Sequence, residues 1–278
     1  MKKFIRWIFY LIILALFIRA FFLGAVYIPT SSMEDTLYPG DFIIVNIAAY
    51  NLSTPREIPI LGLSIPSLNI FSTGKPEINE LIVFRFPEIN SGDALYKNFD
   101  IIKRIVALPG DTLQIINKKI FVNGKEINLP ETFSRNYENF KPEGEEDKGI
   151  FYSGTGWNSD NYGPIRIPAM GDTIKINNDN IDAWKPLIVY EYEENVVRRE
   201  GSVITVDNKP VRSYVVKKNQ YFVIGDNFNY SRDSRYFGFV NEDMILSKAM
   251  FIYLSVDYAK SESDFFSKIR WNRIFKGM

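Results

Sequence analysis

Residues Phe4 to Val26 form an apolar run interrupted only by Arg6 and Arg19. A helix that crosses a bilayer needs roughly 20 mostly apolar residues, with about 17–25 as the working range, so this run is long enough to span. Lys2, Lys3 and Arg6 precede it, and the positive-inside bias then leaves the N-terminus cytoplasmic and the following chain outside. Arg19 lies just beyond the most apolar part, Trp7 to Ile18, where a long cationic side chain can snorkel to the interface. A cleaved secretory signal shares the basic start and apolar centre but ends in a small-residue cut site. Phe21-Phe22-Leu23-Gly24-Ala25 offers no clean one. The expectation is an uncleaved anchor; a cleaved signal and a buried helix of a soluble fold are the alternatives.

The rest of the chain is limited by what it lacks. Cys is absent, which removes disulfides, a thiol nucleophile and Cys-ligated metals. His is absent too, which removes Ser-His-Asp triads, imidazole acid–base chemistry and nearly all catalytic zinc sites. If the chain is an enzyme, its base must be Lys, a carboxylate or Tyr. Lys plus Arg number 33 and so do Asp plus Glu, so there is no global basic field of the kind that binds nucleic acid. Hydrophobic residues make up 46% of the 278, enough for a packed core in one large domain or two small ones.

Past residue 40 short β-rich runs alternate with turn residues. Phe42 to Val45, Leu81 to Phe86 before Pro87, Asp100 to Leu108 before Pro109-Gly110-Asp111, Tyr221 to Ile224 and Met250 to Val256 all read as strands. Asn123-Gly124 between Ile120-Phe121-Val122 and Glu126-Ile127 is a strong hairpin signal. Asp207-Asn208-Lys209-Pro210 between Val203–Val206 and Ser213–Val216 suggests a second. Long amphipathic helices are hard to find between residues 40 and 250. The expected fold is mainly β: an N-terminal transmembrane helix, then an extracytoplasmic β-rich domain with an inserted subdomain. The expected division is 1–27 cytoplasmic tip and anchor, 28–130 first part of the core, 131–219 insertion, 220–258 second part, and 259–278 a basic amphipathic tail. Pro130 to Asn161, rich in Glu, Lys, Gly and Asn, reads as a mobile excursion. Gly110-Asp111-Thr112-Leu113 is echoed by Gly171-Asp172-Thr173-Ile174, which shared turn chemistry explains as well as duplication does. The tail carries Lys268, Arg270, Arg273 and Lys276 among Ile, Trp and Phe; it reads as a terminal helix or as a segment lying on anionic lipid.

Three segments could carry chemistry. Pro29-Thr30-Ser31-Ser32-Met33 follows the anchor directly and is rich in hydroxyls, which are also ordinary turn and cap residues. Lys103 lies in a run whose two strand faces, Ile101/Lys103/Ile105/Ala107 and Ile102/Arg104/Val106/Leu108, are both largely apolar. A strand of that kind is buried, burial lowers a lysine's pKa, and a neutral amine can act as a general base; a snorkelling edge lysine is the plainer alternative. Gly225-Asp226-Asn227-Phe228-Asn229-Tyr230-Ser231-Arg232-Asp233-Ser234-Arg235 mixes turn formers, hydroxyls and opposite charges. It is either a charged surface loop or a set of groups that orients a catalytic residue.

Together, in this order behind an anchor, these segments resemble the bacterial type I signal peptidases, membrane-anchored Ser/Lys endopeptidases of the S26 family. Ile28-Pro29-Thr30-Ser31-Ser32-Met33-Glu34-Asp35-Thr36-Leu37 resembles the family's nucleophile box, with Ser32 as nucleophile and Thr30 as a hydroxyl of the oxyanion hole. Asp35 stands where the family usually has Pro. Ile101 to Asp111 resembles the general-base box and makes Lys103 the base. Gly225 to Val240 resembles the last box: Ser231 matches the serine that hydrogen-bonds the lysine, and Asp233 with Arg235 a structural ion pair, near Arg104 and Asp226. Phe228-Asn229-Tyr230 replaces the more usual Arg-Asp-Asn.

The resemblance implies removal of signal peptides from exported preproteins, with small residues, typically Ala, one and three positions before the cut. Met33, Leu37 and Ile102 are candidate pocket residues, equally well explained as core. No cofactor or metal and no nucleic acid is implied; the expected partners are preprotein signal peptides and membrane lipid, at the cytoplasmic membrane. Chain reach points the same way. Ser32 follows the apolar run by only a few residues, and extended chain covers at most ~3.3–3.6 Å per residue, which holds it near the membrane surface. The competing readings are a soluble Ser/Lys self-cleaving repressor, which would carry a DNA-binding helix-turn-helix in place of the anchor, and a catalytically inactive, membrane-anchored β-rich binding protein.

Overall fold

The computed structural model describes residues 2–55, 57–58, 63–64, 68–85, 100–191, 196–261 and 264–278. It is mainly β with an N-terminal apolar helix, Lys2–Phe21. The chain divides into two compact units: Met1–Thr30, Tyr38–Pro76 and Ser247–Met278 in one, Ser31–Leu37 and Glu77–Leu246 in the other.

The first unit carries the helix, whose Lys3–Phe21 stretch is long and apolar enough to cross a membrane and has no buried residue. Leu23–Tyr27 pairs antiparallel with Asp41–Asn46, which pairs with the long strand Ile245–Ser255. The Asp41–Asn46 side chains alternate between buried and half-buried, as a strand with one covered face should. Asp41 is buried, and Arg273 Nη2 donates to its Oδ2 over 2.6 Å. The C-terminal residues are not a helix. They form two short 3₁₀ turns, Phe266–Lys268 and Trp271–Arg273, because their polar backbone follows the long strand: Phe275 N donates to Ile252 O, and Ile252 N to Lys276 O.

The second unit has the strand order Leu81–Phe84, Ile101–Ala107, Gln220–Ile224, Val240–Asn241. The two outer pairings of Ile101–Ala107 are both antiparallel, and all seven of its residues are buried. Phe86 and Pro87, expected to close the preceding strand, lie outside the described residues. A second sheet, Lys125–Glu126, Lys119–Val122, Thr112–Ile116, Tyr162–Arg166, shares one apolar core with it, around Ile115, Ile120, Phe151, Tyr162 and Phe222. Its tight turns need left-handed backbone: Asn117-Lys118 at φ 47° and 64°, Asn123-Gly124 at 52° and 77°. These are two-residue hairpin turns of the kind Asn-Gly favours.

Three expectations are corrected. The turn after Val203–Val206 is two residues, Asp207-Asn208 at φ 51° and 58°, not four. Val206 therefore pairs with Lys209, while Ser213–Val215 pairs with Thr173–Lys175. A helix, Ile181–Glu191, occupies a region expected to lack one; it buries Ile181, Trp184, Leu187 and Ile188, a helical spacing that Pro186 and the preceding Asn/Asp cluster disguise. Residues 130–161 are no excursion. Lys118 reaches from its hairpin turn, with its Nζ donating to the Asn136 and Asn139 carbonyls and lying 3.5 Å from the Asp160 carboxylate. Phe133, Ile150 and Phe151 join the core.

Replacing Lys118 with Met removes the cation that faces the buried Asp160 carboxylate and bonds the two carbonyls. The cost expected for breaking a buried pair is roughly 3–5 kcal/mol. A lowered melting temperature and faster proteolysis within residues 136–160 measure it; unchanged cleavage there contradicts the clamp.

Candidate active site

The site is built around Lys103, whose strand is hydrogen-bonded on both sides; it stands opposite Ile82 in the register. Its side chain is 3% exposed. Desolvation of the ammonium group pulls its pKa from 10.5 down to about 8, against the carboxylates of Asp233 and Asp226 and with help from the Arg235 guanidinium. Lys103 Nζ lies 2.5 Å from Ser32 Oγ, across 71 residues of sequence.

Ser32 is held in a short double turn. Glu34 N donates to Ser31 O over 2.9 Å, and Leu37 N to Met33 O over 2.7 Å. Asp35 has φ 74°. Proline, locked near −65°, does not fit there, whereas Asp tolerates left-handed backbone. The loop after Gln220–Ile224 grips this turn from a distant part of the sequence. Asn227 N donates to Ser32 O (3.2 Å), Asn227 Nδ2 to Ser31 O (3.0 Å), and Asp226 N meets Met33 Sδ at 3.4 Å. At Gly225, a Cβ would lie 2.2 Å from Ser231 Oγ and 2.4 Å from Ser32 O. Only glycine lets these three strands of chain come together.

Two buried Arg–carboxylate pairs flank the lysine. Arg104 Nε and Nη2 donate to Asp226 Oδ1 and Oδ2 at 2.7 and 2.5 Å. Thr36 Oγ1 donates to Asp226 Oδ2. Arg235 Nε and Nη2 each donate to Asp233 over 2.8 Å, and neither side chain of that pair has exposed surface. Arg235 also stacks on the Phe228 ring, 3.9 Å from its centroid. Asp233 Oδ2 accepts from Gly225 N, tying this pair to the glycine of the closely packed loop.

Of the residues singled out in the sequence, Ser32, Lys103, Arg104, Asp226, Asp233 and Arg235 gather in this one unit. Ser231 is buried beside them, and among the described residues its Oγ has no hydrogen-bond partner. Thr30 is an exposed residue of the other unit, and its part rests on the resemblance. Met33 and Leu37 have no exposed surface and Ile102 has 8%; as found, they pack in the core rather than wall an open pocket. Gly225, Asn227 and Thr36 escaped the sequence reading as site residues. Among the described residues no cluster of acidic side chains could hold a metal ion.

A dry amine against a hydroxyl is the equipment of a peptide-bond hydrolase that works without histidine. Comparison with known proteins points to the same class. The family model described as signal peptidase, peptidase S26, matches residues 1–254. A signal peptidase I of Buchnera aphidicola subsp. Baizongia pistaciae is 28% identical over 275 residues, covering 95% of this chain and 79% of that one. One from Buchnera aphidicola subsp. Acyrthosiphon pisum is 30% identical, covering 96% and 79%. One from Aquifex aeolicus is 30% identical, covering 92% and 85%. The chain belongs to the peptidase S26 family and is a serine peptidase, a hydrolase.

Gly225→Ala tests the close approach. A displacement of about 1 Å can cost on the order of 10²-fold in rate, so peptidase turnover falls by about that factor while the melting temperature changes far less. Wild-type turnover in a folded Gly225→Ala protein contradicts the packing described.

Proposed function

We propose that this chain removes signal peptides from exported preproteins, with Ser32 as nucleophile and Lys103 as general base. The observation that carries the reading is the 2.5 Å contact between Ser32 Oγ and a lysine whose burial brings its pKa to about 8. Neutral Lys103 takes the Ser32 proton as Oγ bonds to the scissile carbonyl carbon. The resulting ammonium gives that proton to the leaving amine as the C–N bond breaks. A water, deprotonated by the same amine, then attacks the acyl-enzyme and frees Ser32. The Ser32 backbone N–H and the Thr30 hydroxyl stabilise the oxyanion, contacts whose loss costs ~2.7–4 kcal/mol in other proteases. Ser231, whose hydroxyl has no hydrogen-bond partner among the described residues, bonds the lysine when it becomes charged.

In this reading Lys2–Phe21 anchors the chain, N-terminus inside, and residues 28–130 and 220–258 form the catalytic core around the insertion 131–219. Substrates are preproteins with small residues before the cut, presented at the membrane surface.

Ser32→Ala should reduce preprotein cleavage at least ~10³-fold; cleavage that survives it removes the reading. The rate should rise with pH through about 8, because the base works only when neutral and Lys103 loses its proton there. Arg104→Met leaves Asp226 unneutralised beside the amine. That holds the proton on more tightly, so the rising limb should move to higher pH by about one unit or more. Arg104→Lys, which keeps the charge, should move it less. A limb that stays put in both variants, in folded protein, shows that Lys103 is not the titrating base.

A further inference from the structure

The Lys118–Asp160 pair reaches further than the segment it clamps. Asp160 follows Ser159, and Arg235 Nη1 donates to the Ser159 carbonyl over 3.3 Å. Phe151 N donates in turn to Arg235 O over 2.7 Å. Residues 150–160 are therefore gripped twice, by Lys118 and by the arginine that is paired with Asp233 at the site. Lys118, Asp160, Arg235, Asp233 and Lys103 are all buried, none more than 4% exposed. Taken in that order, from the hairpin turn to the amine, their charges alternate in sign.

A buried ion pair adds little stability over apolar packing, so packing alone gives no reason for this one. Its place in the row of charges gives an electrostatic reason. Burial works against the Arg235 charge, while the Asp233 carboxylate and, further down, Tyr236 and Asp160 favour it. Asp160 thus pulls on the same guanidinium as Asp233 does. Lys118 offsets that pull, with its Nζ 3.5 Å from Asp160 Oδ2.

We propose that Lys118 and Asp160 are positioning residues for the reaction, a neutral pair that leaves Arg235 on Asp233 and so sets the charge around the Lys103 amine. The inference rests on the reading of Lys103 as the base. The other ionisable groups nearby are accounted for. Asp226 is paired with Arg104. Asp147, which accepts from Ser159 N, is paired with Lys141. Burial raises the pKa of the Tyr162 and Tyr236 hydroxyls, so neither carries charge near neutral pH.

The test is the pH dependence of kcat/KM for the full chain, acting on a preprotein with alanine one and three positions before the cut. Lys118→Met leaves the Asp160 carboxylate without its cation. That draws Arg235 from Asp233 and favours the ammonium form of Lys103, so the rising limb should move to higher pH by about half a unit or more. Asp160→Asn leaves the Lys118 cation uncompensated and should move the limb to lower pH by a similar amount. Combining the two substitutions should return the limb toward its wild-type position. The position of a limb does not depend on how much protein is folded, so the destabilisation expected of Lys118→Met does not mask it. Limbs that stay put in both single variants while the Arg104→Met limb moves overturn the proposal. So do shifts of one sign in both, which assign the pair to structure alone. If Lys118→Met does not fold, Asp160→Asn decides: a limb at lower pH supports the proposal, and any other position overturns it. A limb that also stays put in Arg104→Met removes Lys103 as the base, and the proposal with it.

Discussion

The site sets one buried amine, its pKa lowered from 10.5 to about 8, in the company of two carboxylates. Left alone, Asp226 and Asp233 would each favour the ammonium form, and at short range in a poorly solvated interior that attraction is large. Each is instead held in two-point contact by its own arginine. A bidentate pair is close to a dipole, and its field falls off faster than that of a lone charge. What remains at Lys103 is the cost of removing an ammonium from water, and that cost prevails. Of the two arginines, Arg235 lowers the lysine's pKa directly, while Arg104 neutralises the Asp226 carboxylate that would raise it.

Placing the hydroxyl is a separate problem, solved by backbone. The strand that carries Lys103 is fixed on both edges, whereas Ser32 sits in a turn whose Met33 and Leu37 are fully buried. The loop 225–227 adds to this, with Asn227 donating to the carbonyls of Ser31 and Ser32. It comes near enough to do so only because residue 225 has no side chain. The same loop presents Asp226 to Arg104 and, through Gly225 N, touches Asp233. One short stretch thus touches both the turn that carries Ser32 and the charged groups around the amine.

This explains what the sequence made legible and what it did not. Lys103 could be found because a charge in a run apolar on both faces is a local anomaly. The mainly-β fold and the Asn123-Gly124 hairpin were readable because their signals are local as well. Gly225, Asn227 and Thr36 gave no such signal: their roles come from contacts spanning well over a hundred residues for the first two, and for Thr36 from a carboxylate equally far along the chain. Lys118 carries no local signal in the sequence, and only the tertiary fold shows it buried and bonded to residues 136, 139 and 160. The helix Ile181–Glu191 was hidden for the opposite reason, its propensity spoiled by Pro186 while its buried face is paid back by packing.

The echo between residues 110–113 and 171–174 has a third member, and the three together argue against duplication. Tyr38–Asp41, Leu108–Asp111 and Ala169–Asp172 are the same turn. In each, glycine at the third position has φ near 90°, namely 93°, 89° and 91°. The aspartate N–H donates to the first residue's carbonyl, and its carboxylate accepts from the first residue's N–H. Each glycine N–H and each aspartate carbonyl then pair with one further residue: Ile28, Ile167 and Val216. A copied unit would bring that partner along at a constant offset. Here it precedes the turn in the first case and follows it at two different distances in the others. The surroundings differ as well, since a Cβ at Gly40 would strike the Val256 carbonyl while one at Gly171 would meet nothing. What recurs is the cheapest way to start a strand from a tight turn: a residue free to take positive φ, followed by a carboxylate that closes the turn on itself.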